Sequence, residues 1–221
     1  MLEVRQLNVW YGAAQALFDV SLSVGSGELV VLQGLNGAGK STLLQAIMGL
    51  SPRATGAVSY QKKSILGDEP HHIARRGLGY VPEDRRLFTG LTVQENLLIA
   101  ARFGPAAAGG APPTTPPGQQ EHVFYLFPAL QGMLARKAAH MSGGEQQMLS
   151  IARTLMTGPS LLLLDEPCEG IAPVLVESIR DALLQLKSEG MPMLVAEQNA
   201  ILASRADRVI TLVAGQIAQP V

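Results

Sequence analysis

Cysteine is almost absent. Cys168 stands alone among 221 residues, which excludes an intrachain disulfide framework and fits a reducing compartment. Excess charge of either sign is missing too. Seventeen Lys and Arg against 18 Asp and Glu leave a net charge of −1, which lends no support to broad electrostatic binding of nucleic acid or anionic membranes. Long apolar runs are lacking as well. A membrane helix needs about 20 mostly apolar residues. The longest uncharged stretch, Phe103 to Gln120, is 18 residues, of which five are Pro and four are Gly. The start, MLEVRQLNVWYG, has neither the basic head nor the apolar core of a signal peptide. A soluble chain is expected, with any membrane role coming through a partner.

What is present is core-forming material. Apolar residues make up 47% of the chain, enough for one α/β domain of this length. Leu29–Leu32, Leu161–Leu164, Met193–Ala196 and Val209–Val213 are short apolar runs bounded by turn residues, the pattern of strands covered on both faces. A buried helix segment can look similar, but the shortness favours strands. Helical periodicity falls between them, over Ser41–Leu50 and at Leu175, Ile179, Ala182 and Leu186. Leu2–Val24 alternates with turns and reads as antiparallel β, and Leu91–Leu155 reads as helical. The expected fold is one α/β domain over residues 1–221: a mostly parallel sheet with helices on both faces, an N-terminal antiparallel β portion and a helical subdomain inserted over 84–157. Within that insertion Gly104–Gln120 is rich in Pro, Ala and Gly, cannot supply a core, and reads as a solvated loop.

Three local patterns carry chemistry. Gly34-Leu35-Asn36-Gly37-Ala38-Gly39-Lys40-Ser41-Thr42 follows the first buried run and precedes a helical pattern. Glycines let such a loop turn its N–H groups inward, the helix N-terminus favours phosphate, Lys40 can reach the β- and γ-phosphates, and the Ser41 hydroxyl can ligate Mg²⁺. Asp165 and Glu166 end the Leu161–Leu164 run, where ligands of open α/β sheets bind. Asp165 suits a Mg²⁺ shell, and Glu166 suits a base or water-positioning carboxylate. A nucleoside triphosphatase is the outcome. Ser142-Gly143-Gly144-Glu145 has capping-box spacing before a helical stripe. It is either a plain helix cap or a second anion site. One chain needs only one phosphate loop, so the second reading suggests a nucleotide shared between two copies.

Together these motifs resemble the nucleotide-binding subunit of an ATP-binding-cassette (ABC) transporter, from the Tyr11 region to Gly215-Gln216-Ile217. The resemblance makes GLNGAGKST the Walker A loop, LLLLDE the Walker B strand with Glu166 as catalytic glutamate, and SGGEQ the signature. It implies a P-loop NTPase core that pairs head to tail, each ATP lying between one chain's Walker A loop and the other's signature. Tyr11 falls where the family stacks an aromatic on adenine, against ordinary sheet packing as the plainer reading. Glu83 occupies the usual Q-loop glutamine, where a carboxylate can face Mg²⁺. Gln198 stands at the switch where many members have histidine; its amide can reach the γ-phosphate but cannot titrate. Cys168-Glu169-Gly170-Ile171-Ala172-Pro173 occupies the D-loop that touches the partner chain.

Glu83, Glu197-Gln198-Asn199 and Glu169-Gly170-Ile171-Ala172-Pro173 together resemble the subgroup that energises uptake of branched-chain amino acids, amides or urea. The resemblance implies ATP and Mg²⁺ as cofactors. It implies transmembrane permease subunits, a second ABC ATPase chain (self or sister) and, indirectly, an extracytoplasmic solute-binding protein as partners, with no nucleic acid. It places the protein peripherally on the cytoplasmic face of the membrane. A soluble non-transport ABC ATPase and an ATP-sensing, binding-only cassette are the alternatives. Elsewhere, Cys168 reads as a small packing residue and His71 and His72 as a polar loop. Arg75, Arg76, Arg85 and Arg86 read as a basic cluster, either solvated or docking a partner.

Overall fold

The computed structural model describes residues 1–102, 118–198 and 202–218. The chain opens with an antiparallel pair, β1 (Leu2–Tyr11) and β2 (Ala14–Val24). Leu2, Val4, Leu7 and Val9 of β1 are all buried although Val4 and Leu7 are three apart. An irregularity in the pairing between them, with Gln6 at φ 46°, supplies the extra residue and returns the apolar side chains to one face. Strands β4 (Arg53–Tyr60) and β5 (Lys63–Ser64) complete a four-stranded sheet in the order β2-β1-β4-β5.

The second sheet has the order β10-β9-β3-β8-β7-β6, from β3 (Leu29–Gln33), β6 (Leu78–Val81), β7 (Leu161–Asp165), β8 (Met193–Glu197), β9 (Arg208–Val213) and β10 (Gln216–Ile217). All its pairings are parallel except that of β10 with β9. The uninterrupted apolarity of Leu161–Leu164 follows from double coverage. Leu161 and Leu163 pack into the core shared with α1 (Lys40–Ile47) and the antiparallel sheet, whereas Leu162 and Leu164 pack toward α6 (Gly143–Leu155) and α7 (Pro173–Ser188). Each such fully buried leucine contributes about 1.5–3 kcal/mol relative to exposure.

Strands β4 and β6 are additions to the sequence reading. β6 is four residues with a glycine inside, too short for a periodicity signal. Its Gly79 is required by packing: a Cβ there would lie 2.8 Å from Thr154 Cγ2 and 2.9 Å from Leu162 Cδ2, so only glycine admits α6 this closely.

Between Leu91 and Leu155 the described residues form α3 (Val93–Ala101), α4 (Gln119–Leu126), α5 (Pro128–Gln131), a 3-10 turn at Ala138–His140, and α6, with one isolated bridge, Thr92 to Lys137. Residues 103–117 of the Pro-rich stretch lie outside the described residues. Gln119 and Gln120, read as the end of that loop, instead open α4, beyond the last proline and after Gly118 at φ 86°. His71 and His72 also differ from expectation. They lie in a helix, α2 (Pro70–Arg75), which starts on Pro70 and is anchored by buried Ile73. The helix expected over Ser41–Leu50 ends sooner, at Ile47, because Gly49 turns the chain at φ 70°. Among the described residues no helix is long and apolar enough to cross a membrane.

Candidate functional site

The loop from β3 to α1 wraps one side of a cavity of about 510 Å³, lined also by Glu83, Glu166 and Glu169. Gly39 sits at φ 106°, and a Cβ on it would lie 2.7 Å from Leu17 Cδ2. Gly34 runs against the β9 backbone, where a Cβ would stand 2.5 Å from the Leu212 carbonyl oxygen. Both glycines therefore answer to packing as well as to the turn.

Two contacts join this loop to the end of β7. Ser41 Oγ donates to Asp165 Oδ1 at 2.9 Å. Lys40 Nζ pairs with Glu166 Oε1 at 2.9 Å while donating to the Gly34 and Leu35 carbonyls at 2.8 and 3.3 Å. Both members of the ion pair are buried. Parallel pairing of β3 with β8 and β8 with β7 brings the two segments together although they stand more than 120 residues apart.

Electrostatics set the two acids apart. Burial pushes the Asp165 carboxyl up to about 6; the hydroxyls of Ser41 and Tyr80 offset part of this, and the nearby charges of Glu83 and Glu166 add to it. Asp165 has no basic partner at ion-pairing distance among the described residues. Burial alone would raise Glu166, but hydrogen bonding from Glu169 and Lys40, with the Lys40 charge, holds it below the usual range. Glu169, whose N–H donates to the Glu166 carbonyl at 3.2 Å, is pushed up to about 7, chiefly by the Glu166 carboxylate beside it. Glu166 also adopts φ 46°, a left-handed conformation that costs a β-carbon residue on the order of 1 kcal/mol. Its N–H donates to the Ala196 carbonyl at 2.9 Å, fixing that turn to β8.

The fit to a divalent cation rests on the donor set. A hydroxyl and a buried carboxylate whose charge lacks a counter-ion suit a hard cation. No cluster of three or more His, Cys, Asp or Glu that could hold a metal exists among the described residues, so phosphate oxygens would have to complete its shell. Glu83 lines the cavity from an exposed position and acts on Asp165 through charge.

The Ser142–Glu145 segment caps α6 with a complete capping box. Glu145 N–H donates to Ser142 Oγ at 3.3 Å, and Ser142 N–H donates to Glu145 Oε2 at 2.6 Å. The Ser142 amide is thereby consumed, leaving Gly143 and Gly144 as the open donors of the helix mouth. Gly144 is also a packing requirement, since a Cβ would meet Leu175 Cδ1 at 2.4 Å and Ile171 Cγ2 at 2.9 Å. None of these four residues lines the cavity beside Lys40.

Other expected positions fall elsewhere. Tyr11, at the end of β1, is exposed and donates to Gln45 Oε1 at 3.3 Å. It does not line the Lys40 cavity; the aromatic that does is Phe18 of β2. Gln198 follows β8, is exposed, and its N–H donates to Glu197 Oε1 at 3.3 Å. It lines neighbouring hollows beside Glu169 and behind Gly34–Ala38. Asn199 lies outside the described residues. Cys168 is buried, and burial followed by the Glu197 charge pushes its thiol up to about 12, as befits an inert packing residue. Three of the four arginines have separate partners: Arg76 pairs with Asp68 and Arg86 with Asp84, while Arg85 turns toward α6.

Sequence reasoning missed Tyr80, whose hydroxyl donates to Asp165 Oδ2 at 3.2 Å, and the contact of Glu169 with Glu166. Tyr80 was within reach, because parallel neighbours at the carboxyl ends of strands face the same cleft.

A family profile described as "ABC transporter" matches residues 17–169. The high-affinity branched-chain amino acid transport ATP-binding protein BraG of Pseudomonas aeruginosa is 42% identical over 218 residues, spanning 98% of this chain and 91% of that protein. The probable branched-chain amino acid transport ATP-binding protein LivF of Archaeoglobus fulgidus is 34% identical over 220 residues, covering 99% of this chain and 90% of its own. The solved ADP conformation of an ATP-binding cassette of an ABC transporter superimposes with a TM-score of 0.79 at 30% identity, covering 99% of this chain and 89% of that one.

Proposed function

The chain belongs to the ABC transporter family, and on that premise we propose that it is the ATP-hydrolysing subunit of an importer for branched-chain amino acids. The observation that carries the chemistry is the pair of contacts joining the phosphate loop to the Walker B acids, Ser41 to Asp165 and Lys40 to Glu166. The solute class is supported by the two relatives named above, both branched-chain amino acid transport ATP-binding proteins.

In this reading, nucleotide phosphates enter the cavity and compete with Glu166 for Lys40. The loop amides and the α1 N-terminus receive the phosphate charge. Losing Lys40 leaves Glu166 an accepting carboxylate aimed into the cavity, the form needed to orient water and take its proton. Glu169, the acid beside it whose carboxyl Glu166 raises, would be the group to receive that proton, a role closed to the amide of Gln198. Mg²⁺, held by Ser41 and Asp165 with phosphate oxygens and with Glu83 nearby, would neutralise charge developing on the transferred group. Gly143 and Gly144 do not line their own chain's cavity, which supports a role toward nucleotide held by a second cassette, either another copy or a sister. Permease subunits would dock the pair to the cytoplasmic face of the membrane, with a solute-binding protein outside.

Phosphate release by the purified chain, compared with Glu166→Gln, tests the chemistry. The variant should keep MgATP binding and lose turnover by at least 100-fold, of the order assigned to losing a positioned base. Unchanged hydrolysis would refute the assignment. Uptake of labelled leucine by vesicles holding the assembled transporter tests the solute.

A further inference from the structure

The loop that follows β6 is strained and clamped. Arg85 and Arg86 take φ 61° and 44°, consecutive left-handed conformations in residues that carry a β-carbon. Such geometry persists only where surroundings impose it, and here α6 does. Ser150 Oγ donates to the Arg85 carbonyl at 2.9 Å. Arg153 donates to the carbonyls of Arg86 and Arg85 at 2.8 and 3.2 Å. In return the Arg85 guanidinium donates to the Gln147 and Gln146 side-chain oxygens, both at 3.3 Å. It lies against the helix mouth, with Nη1 and Nη2 each 3.4 Å from where a Gly143 Cβ would stand. A cation at the positive end of a helix is unfavourable in itself, and Arg85 has no carboxylate at ion-pairing distance among the described residues. Charge pairing therefore does not explain its position, whereas the fork of contacts to two neutral amides does.

We propose that Arg85 is a positioning residue for ATP hydrolysis. It locks the loop carrying Glu83, which lines the nucleotide cavity, to the N-terminal end of α6, and so sets the Gly143 and Gly144 amides for the nucleotide held by a second copy of the chain. This rests on the reading that the α6 mouth faces another chain's phosphates. Arginine is needed because one planar group spans both amides; lysine offers a single point of donation.

The test uses the full chain with Arg85→Gly, which removes the guanidinium while relieving the left-handed φ and so protects folding, and with Arg85→Lys. In a Glu166→Gln background, nucleotide affinity at low protein concentration should stay within twofold of the parent. MgATP-driven pairing, followed by analytical ultracentrifugation, should weaken at least tenfold in both variants. With Glu166 present, kcat should fall at least tenfold with KM for ATP little changed, and melting temperatures should match the parent. Pairing and kcat within twofold in Arg85→Gly would overturn the proposal, as would full recovery in Arg85→Lys. Failure of the Glu166→Gln parent itself to pair with MgATP would instead overturn the reading of a nucleotide shared between two copies, and Arg85's part in it.

Discussion

Replacing Asp165 by asparagine should stabilise the nucleotide-free protein, and by more as the pH rises. The side chain is 1% exposed, and its two hydrogen-bond partners, Ser41 and Tyr80, are hydroxyls that an amide can also satisfy. Its carboxyl is raised from 3.8 to about 6, chiefly by burial. Between those values the folded state holds a proton that the unfolded chain has lost, so stability falls with rising pH. The contribution is fully present below about 4 and is lost as the pH passes 6. At about 1.4 kcal/mol per unit, a shift of about two units makes ionising Asp165 cost on the order of 3 kcal/mol above pH 7. Urea denaturation in the presence of a chelator, at pH 4 and pH 8, reads this difference. Asp165→Asn should exceed the wild type by ~0.5 kcal/mol at pH 4 and about 3 kcal/mol at pH 8. The variant should also lose MgATP-dependent stabilisation, trading activity for stability. An equal gap at both pH values, or no gap at pH 8, would refute the claim that burial of an uncompensated charge dominates here.

Gly144→Ala would place a methyl 2.4 Å from Leu175 Cδ1 and should destabilise by about 1–3 kcal/mol through overpacking, read as a lower urea midpoint with unchanged slope. Ser142→Ala removes the hydroxyl acceptor of the α6 cap and should cost about 1 kcal/mol, measurable by the same denaturation series. Lys40→Ala should abolish tight MgATP binding in an equilibrium titration, since the Lys40 ammonium is the loop's one cation; retained affinity would show that the backbone amides suffice.

Local chemistry announced itself in the chain. The glycine-rich loop between β3 and α1 could be read because glycines, Lys40 and Ser41 follow one another in a fixed order between a strand and a helix. The α6 capping box could be read because its two members are three residues apart. Short-range signals of this kind survive in one dimension. Gly104–Gln120 misled at its end, because composition does not say where Gln119 resumes a helix. β6 went unseen because a four-residue strand with a glycine has no period to detect; only contact with Thr154 and Leu162 explains Gly79.

Legible in one dimension, therefore, was the inventory: a covered parallel sheet, one glycine-rich loop, two acids at a strand end and a second helix mouth. What the tertiary structure decided was which of these groups meet and in what charge state. Sheet order set Ser41 on Asp165 and Lys40 on Glu166, burial lifted Asp165, and the Glu166 carboxylate lifted Glu169. The same packing consumed the Ser142 amide and brought Arg85 against Gly143. The physical reason is range: turn, cap and periodicity preferences act over a few residues, whereas desolvation and ion pairing depend on neighbours that only the folded chain brings together.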